Sequence, residues 1–330
     1  MRSDTVRVHA ALVLVSLIYG YFYVAVKLLL RDITPPEFIL LRFVLTAVIV
    51  VLIERLFIKH RLPSGSDLLK VVGLGVVGVF LVQILVVWGL HYTTAFHSAL
   101  IMSTIPILTL LFGIVTRRET FNLQKMLGIV IGFAGVAILL FSKNHGAVLP
   151  PSYLVGDLIV MLNAVAFSWF LLGSQKMLQK YSAFPFMAYC YIVSAIMFSI
   201  LFVGENKLSI GTSGLGFVSR LDLGNWLLIA YVVVFASIGS YTLNNYALQR
   251  VTPSIVAVYM FIQPVISAIT GSYLLNEPFS IQMALATFIT FAGVMLATTA
   301  NHKTKSLSSE TSLLPESPDE QEEEEIAPVN

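Results

Sequence analysis

The chain has 330 residues, of which 57% are hydrophobic and 12% charged, with a formal net charge of +2; a soluble domain carries about 25% charged residues. Its single cysteine, Cys190, excludes an intrachain disulfide and a cysteine-built zinc site. The charges are loop residues scattered between apolar runs, so the net charge says nothing about nucleic acid and no nucleic-acid partner is expected, and no N-x-S/T glycosylation sequon occurs.

The apolar runs are roughly 20 residues each, long enough to cross a ~30 Å hydrocarbon core as helices. They predict ten spans, at about 8–30, 37–58, 68–91, 94–116, 123–142, 153–176, 184–204, 223–248, 252–275 and 279–299. The first follows Arg2 and Arg7 as a signal peptide would, but no small-residue cleavage site comes after it and nine more spans do, so an uncleaved helix is expected. Tyr19 and Tyr23 share one face of it, and Lys27 near its outer end is expected to snorkel to water. Turn-forming residues from Asp32 to Pro36 separate it from the second span, about five residues into which sits Arg42. An arginine inside a span faces protein or a water-filled cavity, or reaches back to the interface. Pairing with Glu37, Asp32 or Asp157, a gate ion pair, and contact with a carboxylate of a solute all remain open for it.

Pro63-Ser64-Gly65 precedes the third span, which carries Gln83, Trp88 and His91. The fourth carries His97, Ser103, Thr104 and Pro106. Both histidines can relay protons, but each lies near a membrane end, where a wetted side chain is expected. Pro106 frees a backbone carbonyl one turn earlier and kinks its helix. Glu119 opens the fifth span, suiting the positive end of a helix dipole. Gly128 and Gly132 on that span form a G-x-x-x-G, which suits either internal packing or the seam of a homodimer. Pro150-Pro151 leads to the sixth span with Asn163 and Trp169, and a long loop at about 205–222, with Gly211, Gly214 and Gly216, follows the seventh. The eighth carries Tyr241, Asn244 and Asn245, the ninth Tyr259, Gln263 and Pro264, and Asn276-Glu277-Pro278 opens the tenth. Residues 301–330 hold two lysines against eight acidic residues, so the tail is expected to be a disordered, solvated extension.

The second half repeats the first. With Pro106 placed over Pro264, Glu119 falls on Glu277, Phe121 on Phe279, Gln124 on Gln282, and Phe133-Ala134-Gly135-Val136 on Phe291-Ala292-Gly293-Val294, without a gap. Thr94, Ala99, Met102 and Gly113 meet identical partners at Thr252, Ala257, Met260 and Gly271. Five spans per half is an odd number, so the second copy enters the membrane from the opposite side. With the N-terminus cytoplasmic, fourteen loop Lys and Arg residues face inward and five outward, which places both termini in the cytoplasm, in a plasma or bacterial inner membrane. The expected fold is therefore all-α and integral to the membrane: ten transmembrane helices as two inverted five-helix repeats, at 1–142 and 153–300, with a tail at 301–330.

The motif order resembles the EamA-type families of the drug/metabolite transporter superfamily over about residues 8–300. The resemblance rests on Tyr19-Gly20 (usually Trp-Gly), Lys27, Leu41-Arg42-Phe43, Pro106, Glu119 and Ala134-Gly135-Val136 in the first copy, and on Gly156-Asp157, Pro264, Glu277-Pro278 and Ala292-Gly293-Val294 in the second. It implies a ten-helix carrier with a central cavity walled by spans three, four, eight and nine, helped by one and six. The candidate substrate-binding residues are Tyr19, Tyr23, Arg42, Gln83, Trp88, Asn163, Trp169, Asn244, Asn245 and Gln263, with Pro106 and Pro264 as hinges. No ATP-binding loop, esterase elbow or metalloprotease motif occurs, so neither an enzyme nor a cofactor or resident metal is expected. The partners expected are a small-molecule solute and membrane lipid. The expected function is secondary transport of a small polar or amphipathic organic metabolite. The alternatives are a non-transporting membrane adaptor docking through its acidic tail, and a carrier of sugar phosphates or nucleotide sugars.

Overall fold

A computed structural model describes residues 2–57, 65–117, 122–141, 152–205, 214–277, 280–293 and 295–296. The expectations for Pro63, Ser64, Arg118, Glu119, Phe121, Pro150, Pro151, Gly211, Pro278, Phe279, Val294, the outermost residues of several spans and the tail lie outside these residues. The described residues form helices throughout: α1 (Arg2–Leu29), α2 (Pro35–Phe57), α3 (Ser66–Tyr92), α4 (Ala95–Val115), α5 (Leu123–Phe141), α6 (Ser152–Leu178), α7 (Ala183–Glu205), α8 (Leu223–Leu248), α9 (Pro253–Leu275) and α10 (Ile281–Gly293). Eight of them are long and apolar enough to cross a bilayer; on α5 and α10 the apolar helices are shorter, Met126–Ile138 and Ile281–Gly293. A 3₁₀ turn, Gly214–Arg220, leads into α8.

The helix ends follow local chemistry. Pro35 and Pro253 stand at the first turns of α2 and α9, where a missing N–H leaves no bond unmade. Thr94 caps α4 by accepting from His97 N, and Asp222 caps α8 by accepting from Asn225 N. Asn276 ends α9 in the left-handed region at φ 55°. Glu277 reaches across to another helix. Its carboxylate accepts from the backbone N–H groups of Ala95 (2.9 Å) and Phe96 (3.3 Å), stabilising the positive end of α4.

Helix α1 packs against α8 and α9, and α6 packs against α3 and α4. The α3–α6 crossing is tight because Gly156 faces the Thr93 N–H and the Gly89 carbonyl: a Cβ added there would lie 2.7 and 2.9 Å from them. A second seam joins α5 to α10. A Cβ on Gly135 would meet Thr290 N at 2.6 Å, and one on Gly293 would meet Gly132 Cα at 2.6 Å. Residues ascending along α5 thus meet residues descending along α10, so the two helices run antiparallel. The small-residue face of α5 is spent inside the monomer, which answers the choice left open for Gly128 and Gly132.

Two kinds of irregularity interrupt the spans. Helix α4 breaks between Met102 and Ile105, and α9 tightens into a 3₁₀ turn at Tyr259–Phe261, in both cases just before the proline. Helices α3 and α8 each contain a π segment, Val76–Leu81 and Val232–Gly239. The prolines make the first pair legible. Nothing in the sequence periodicity marked the second.

Candidate functional site

A small cavity lies at the junction of α1, α3, α4, α6, α8 and α9. Its lining is Tyr19, Phe22 and Tyr23 from α1, Val82, Gln83 and Val86 from α3, Met102 from α4, Asn163 and Phe167 from α6, Tyr241 from α8, and Met260 and Gln263 from α9. Its volume is about 30 Å³, room for a water or so. The helices must part before an organic solute can enter.

Its polar groups are neutral and convergent. The Tyr23 hydroxyl donates to Gln263 Oε1 at 3.0 Å, joining α1 to α9. Gln83 Nε2 donates to the hydroxyls of Tyr241 (3.2 Å) and Tyr191 (3.3 Å). The Tyr241 hydroxyl donates to the Gly78 carbonyl at 3.0 Å, an acceptor within the π segment of α3. Asn163 is fully buried, and neither end of its amide has a hydrogen-bond partner. Two methionines face the cavity at matching places: Met102 stands four residues before Pro106, and Met260 four residues before Pro264. Those are the residues whose carbonyls a proline releases.

Arg42 is buried at 1% exposure, which excludes snorkelling to the outer interface. Its Nε donates to Ser237 Oγ at 2.9 Å in the π segment of α8, and its guanidinium lies 4.8 Å from the ring centre of Phe22, a cavity-lining residue. Among the described residues Nη1 and Nη2 meet no acceptor in full hydrogen-bond geometry, and the Tyr191 hydroxyl lies within their reach. The three acids weighed as its counter-ions are engaged elsewhere. Glu37 takes Arg220 at 3.1 Å, Asp32 accepts from Asn225 at 3.1 Å, and Asp157 accepts from His97 and Thr93.

The other expected site residues fall into two groups. Tyr19, Tyr23, Gln83, Asn163 and Gln263 are brought together in the cavity wall. Trp88, Trp169, Asn244 and Asn245 are not. Trp88 stacks on Tyr92 near the end of α3, and Trp169, 46% exposed, stacks on Phe112 on the outer face of the bundle. Asn244 and Asn245 are buried, with amides unpartnered, but line another part of the helix interfaces. Aromatic side chains suit lipid as well as a cavity wall, so composition alone does not sort them. Phe22, Phe167, Tyr191 and the two methionines were missed. Only the position of each methionine one turn before a proline could have flagged it.

Lys27 also departs from expectation. Its ammonium donates to the Leu90 and Thr93 carbonyls at the end of α3 rather than simply reaching water. His91 is exposed, whereas His97 is buried against Asp157. A larger hollow, about 850 Å³, opens between α4, α9 and α10. Apart from Ser103, Ser272 and Thr287 its lining is apolar, which matches an acyl chain and gives nothing to orient a polar solute.

The EamA-like transporter family model matches the chain twice, at residues 7–141 and 154–299. The chain belongs to that family, and it is a multi-pass integral membrane protein. It is similar to an uncharacterized transporter of Archaeoglobus fulgidus, 29% identical over 307 residues that cover 92% of this chain and 100% of that protein. The uncharacterized transporter YcxC of Bacillus subtilis is 26% identical over 82% of this chain and 85% of its own length. A solved crystal structure, 16% identical, superposes with a TM-score of 0.63 over 90% of this chain and 98% of that one, and shares the fold.

Proposed function

We propose that the chain is a secondary carrier that moves a small polar or amphipathic organic metabolite by alternating access of the cavity between α1, α3, α4, α6, α8 and α9. The carrying observation is that Gln83 and Tyr241, which touch each other in that cavity, are 158 positions apart, the spacing of the sequence repeat. Residues that are images of one another meet only on the axis that relates the halves. Further support comes from α1 on α8 and α9 mirrored by α6 on α3 and α4, from the matching π segments, and from the reciprocal antiparallel contacts of α5 with α10. On this reading, residues 1–142 and 153–300 are two five-helix repeats of opposite orientation, giving ten spans with both termini cytoplasmic. A site on such an axis is exposed to either side when the halves exchange conformations.

The wall selects the solute class. It offers phenols, amides and aromatic faces, with one guanidinium behind Phe22. Polyanions such as nucleotide sugars call for several Lys or Arg groups, so neutral, zwitterionic or cationic metabolites are favoured. A solute gradient or facilitated exchange supplies the driving force.

Liposomes holding the purified protein and preloaded with a labelled metabolite mixture test the proposal. Saturable exchange above empty liposomes is expected, with nucleotide sugars excluded. No exchange of any solute, together with capture of a protein partner by the tail, would replace the carrier by an adaptor. Saturable exchange of a nucleotide sugar would overturn the solute class alone.

A further inference from the structure

We propose that His97 and Asp157 form a proton-binding site that governs opening of the cavity at the α3–α4 end. His97 Nδ1 lies 3.0 Å from Asp157 Oδ2, and both side chains are 4% exposed. The Thr93 hydroxyl donates to the other carboxylate oxygen. Three elements are tied at one point: the first turn of α4, the first turns of α6, and the end of α3. The pair stands between that end of the bundle and the cavity. Met102 is five residues beyond His97 on α4 and Asn163 six beyond Asp157 on α6, roughly 7–9 Å at 1.5 Å per residue.

The charges around the pair leave room for one proton. Lys27 from α1 contributes one positive charge, Asp157 and Glu277 one negative charge each. With a neutral imidazole the group is one negative charge in excess; with an imidazolium it balances. Arg31 in the turn after α1, His91 on α3 and Tyr153 on α6 stand at the margin, where water screens them. Protonation occurs at Nε2, while the Nδ1–H continues to donate to Asp157. The loaded pair is a buried, hydrogen-bonded ion pair that holds α4 to α6. The unloaded one leaves the buried Asp157 carboxylate without a cationic partner and loosens the same junction. The second half has Ile255 where the first has His97, so this proton acts at one end only.

The test uses the full chain. ¹⁵N-histidine spectra read the protonation of His97 directly, the signal being assigned from His97→Asn, or by replacing the other five histidines if that variant does not fold. A membrane-impermeant thiol reagent then reads the cavity through Met102→Cys, with Cys190 fully buried. The same thiol in a His97→Asn background carries the reagent's own pH dependence, so the ratio of labelling rates is compared. That ratio is expected to change about fivefold or more between pH 5.5 and 8. A His97 that keeps one protonation state from pH 5 to 9, or a flat ratio, overturns the proposal. Neither readout needs a transported solute, so its failure is distinguishable from failure of the carrier reading, on which only the link to transport rests.

Discussion

Arg42 is the residue whose chemistry is least explained by packing. It is a cation held at 1% exposure among neutral groups, the hydroxyls of Ser237 and Tyr191 and the aromatic face of Phe22. Taking such a charge out of water costs several kcal/mol, and replacing a buried ionic group by an apolar one of similar size is often neutral or stabilising. Arg42→Met is therefore expected to melt in detergent at the same temperature or higher. Its solute exchange in liposomes should fall by about tenfold or more, the loss expected when a charged hydrogen-bond donor is removed. A variant that melts much lower and exchanges normally would make Arg42 a structural residue. The sequence made Arg42 visible because an arginine inside an apolar run stands out. It did not show the guanidinium's surroundings, since Phe22 and Ser237 come from helices far along the chain.

Among the helices, the α5–α10 seam and the open surface of α3 make opposite predictions for the same kind of change. A side chain added at Gly293 or Gly135 runs into backbone atoms of the facing helix, which no rotamer relieves. Gly293→Ala and Gly135→Ala are each expected to lower stability by about 1–3 kcal/mol. Gly73 on α3 has open space around its Cβ position, so Gly73→Ala is expected to be neutral or to gain a few tenths of a kcal/mol from helix propensity. Thermal unfolding of the three variants checks this; equal behaviour would contradict the seam. The prolines advertised the breaks in α4 and α9 because proline removes a donor. The π segments of α3 and α8 were illegible because one extra residue per turn leaves an apolar run equally apolar. The reach of Glu277 to α4 was equally hidden, since a carboxylate just before a helix reads as that helix's own cap.

For the molecule as a whole, identities recur along the sequence at one spacing, and the hydrogen-bonded Gln83 and Tyr241 stand at that same spacing. The cavity wall was not legible, because an apolar wall residue and a lipid-facing one look alike in a run of hydrophobic side chains. If the halves exchange conformations, the released carbonyls of Met102 and Met260 stay beside the solute path while their helices bend. Pro106→Ala and Pro264→Ala each restore a hydrogen bond and stiffen one copy. Turnover is expected to slow with little loss of thermal stability. Labelling at cysteines engineered near the cavity is expected to shift toward opposite sides of the membrane in the two variants. Shifts in the same sense, or none, would remove the hinge role and leave the fold untouched.

If the halves are inverted copies, as proposed, the Gln83–Tyr241 contact carries one more consequence. Two identical halves would make the inward-facing and outward-facing forms equal in free energy, because exchanging the halves would turn one into the other. Here an amide is the image of a phenol, and a buried imidazole is the image of an isoleucine. Each such mismatch tilts the resting equilibrium between the two forms, and a tilt of about 1.4 kcal/mol is already a tenfold preference. On the proposed carrier reading, the side from which the protein waits for its solute is written in the positions where the two halves differ.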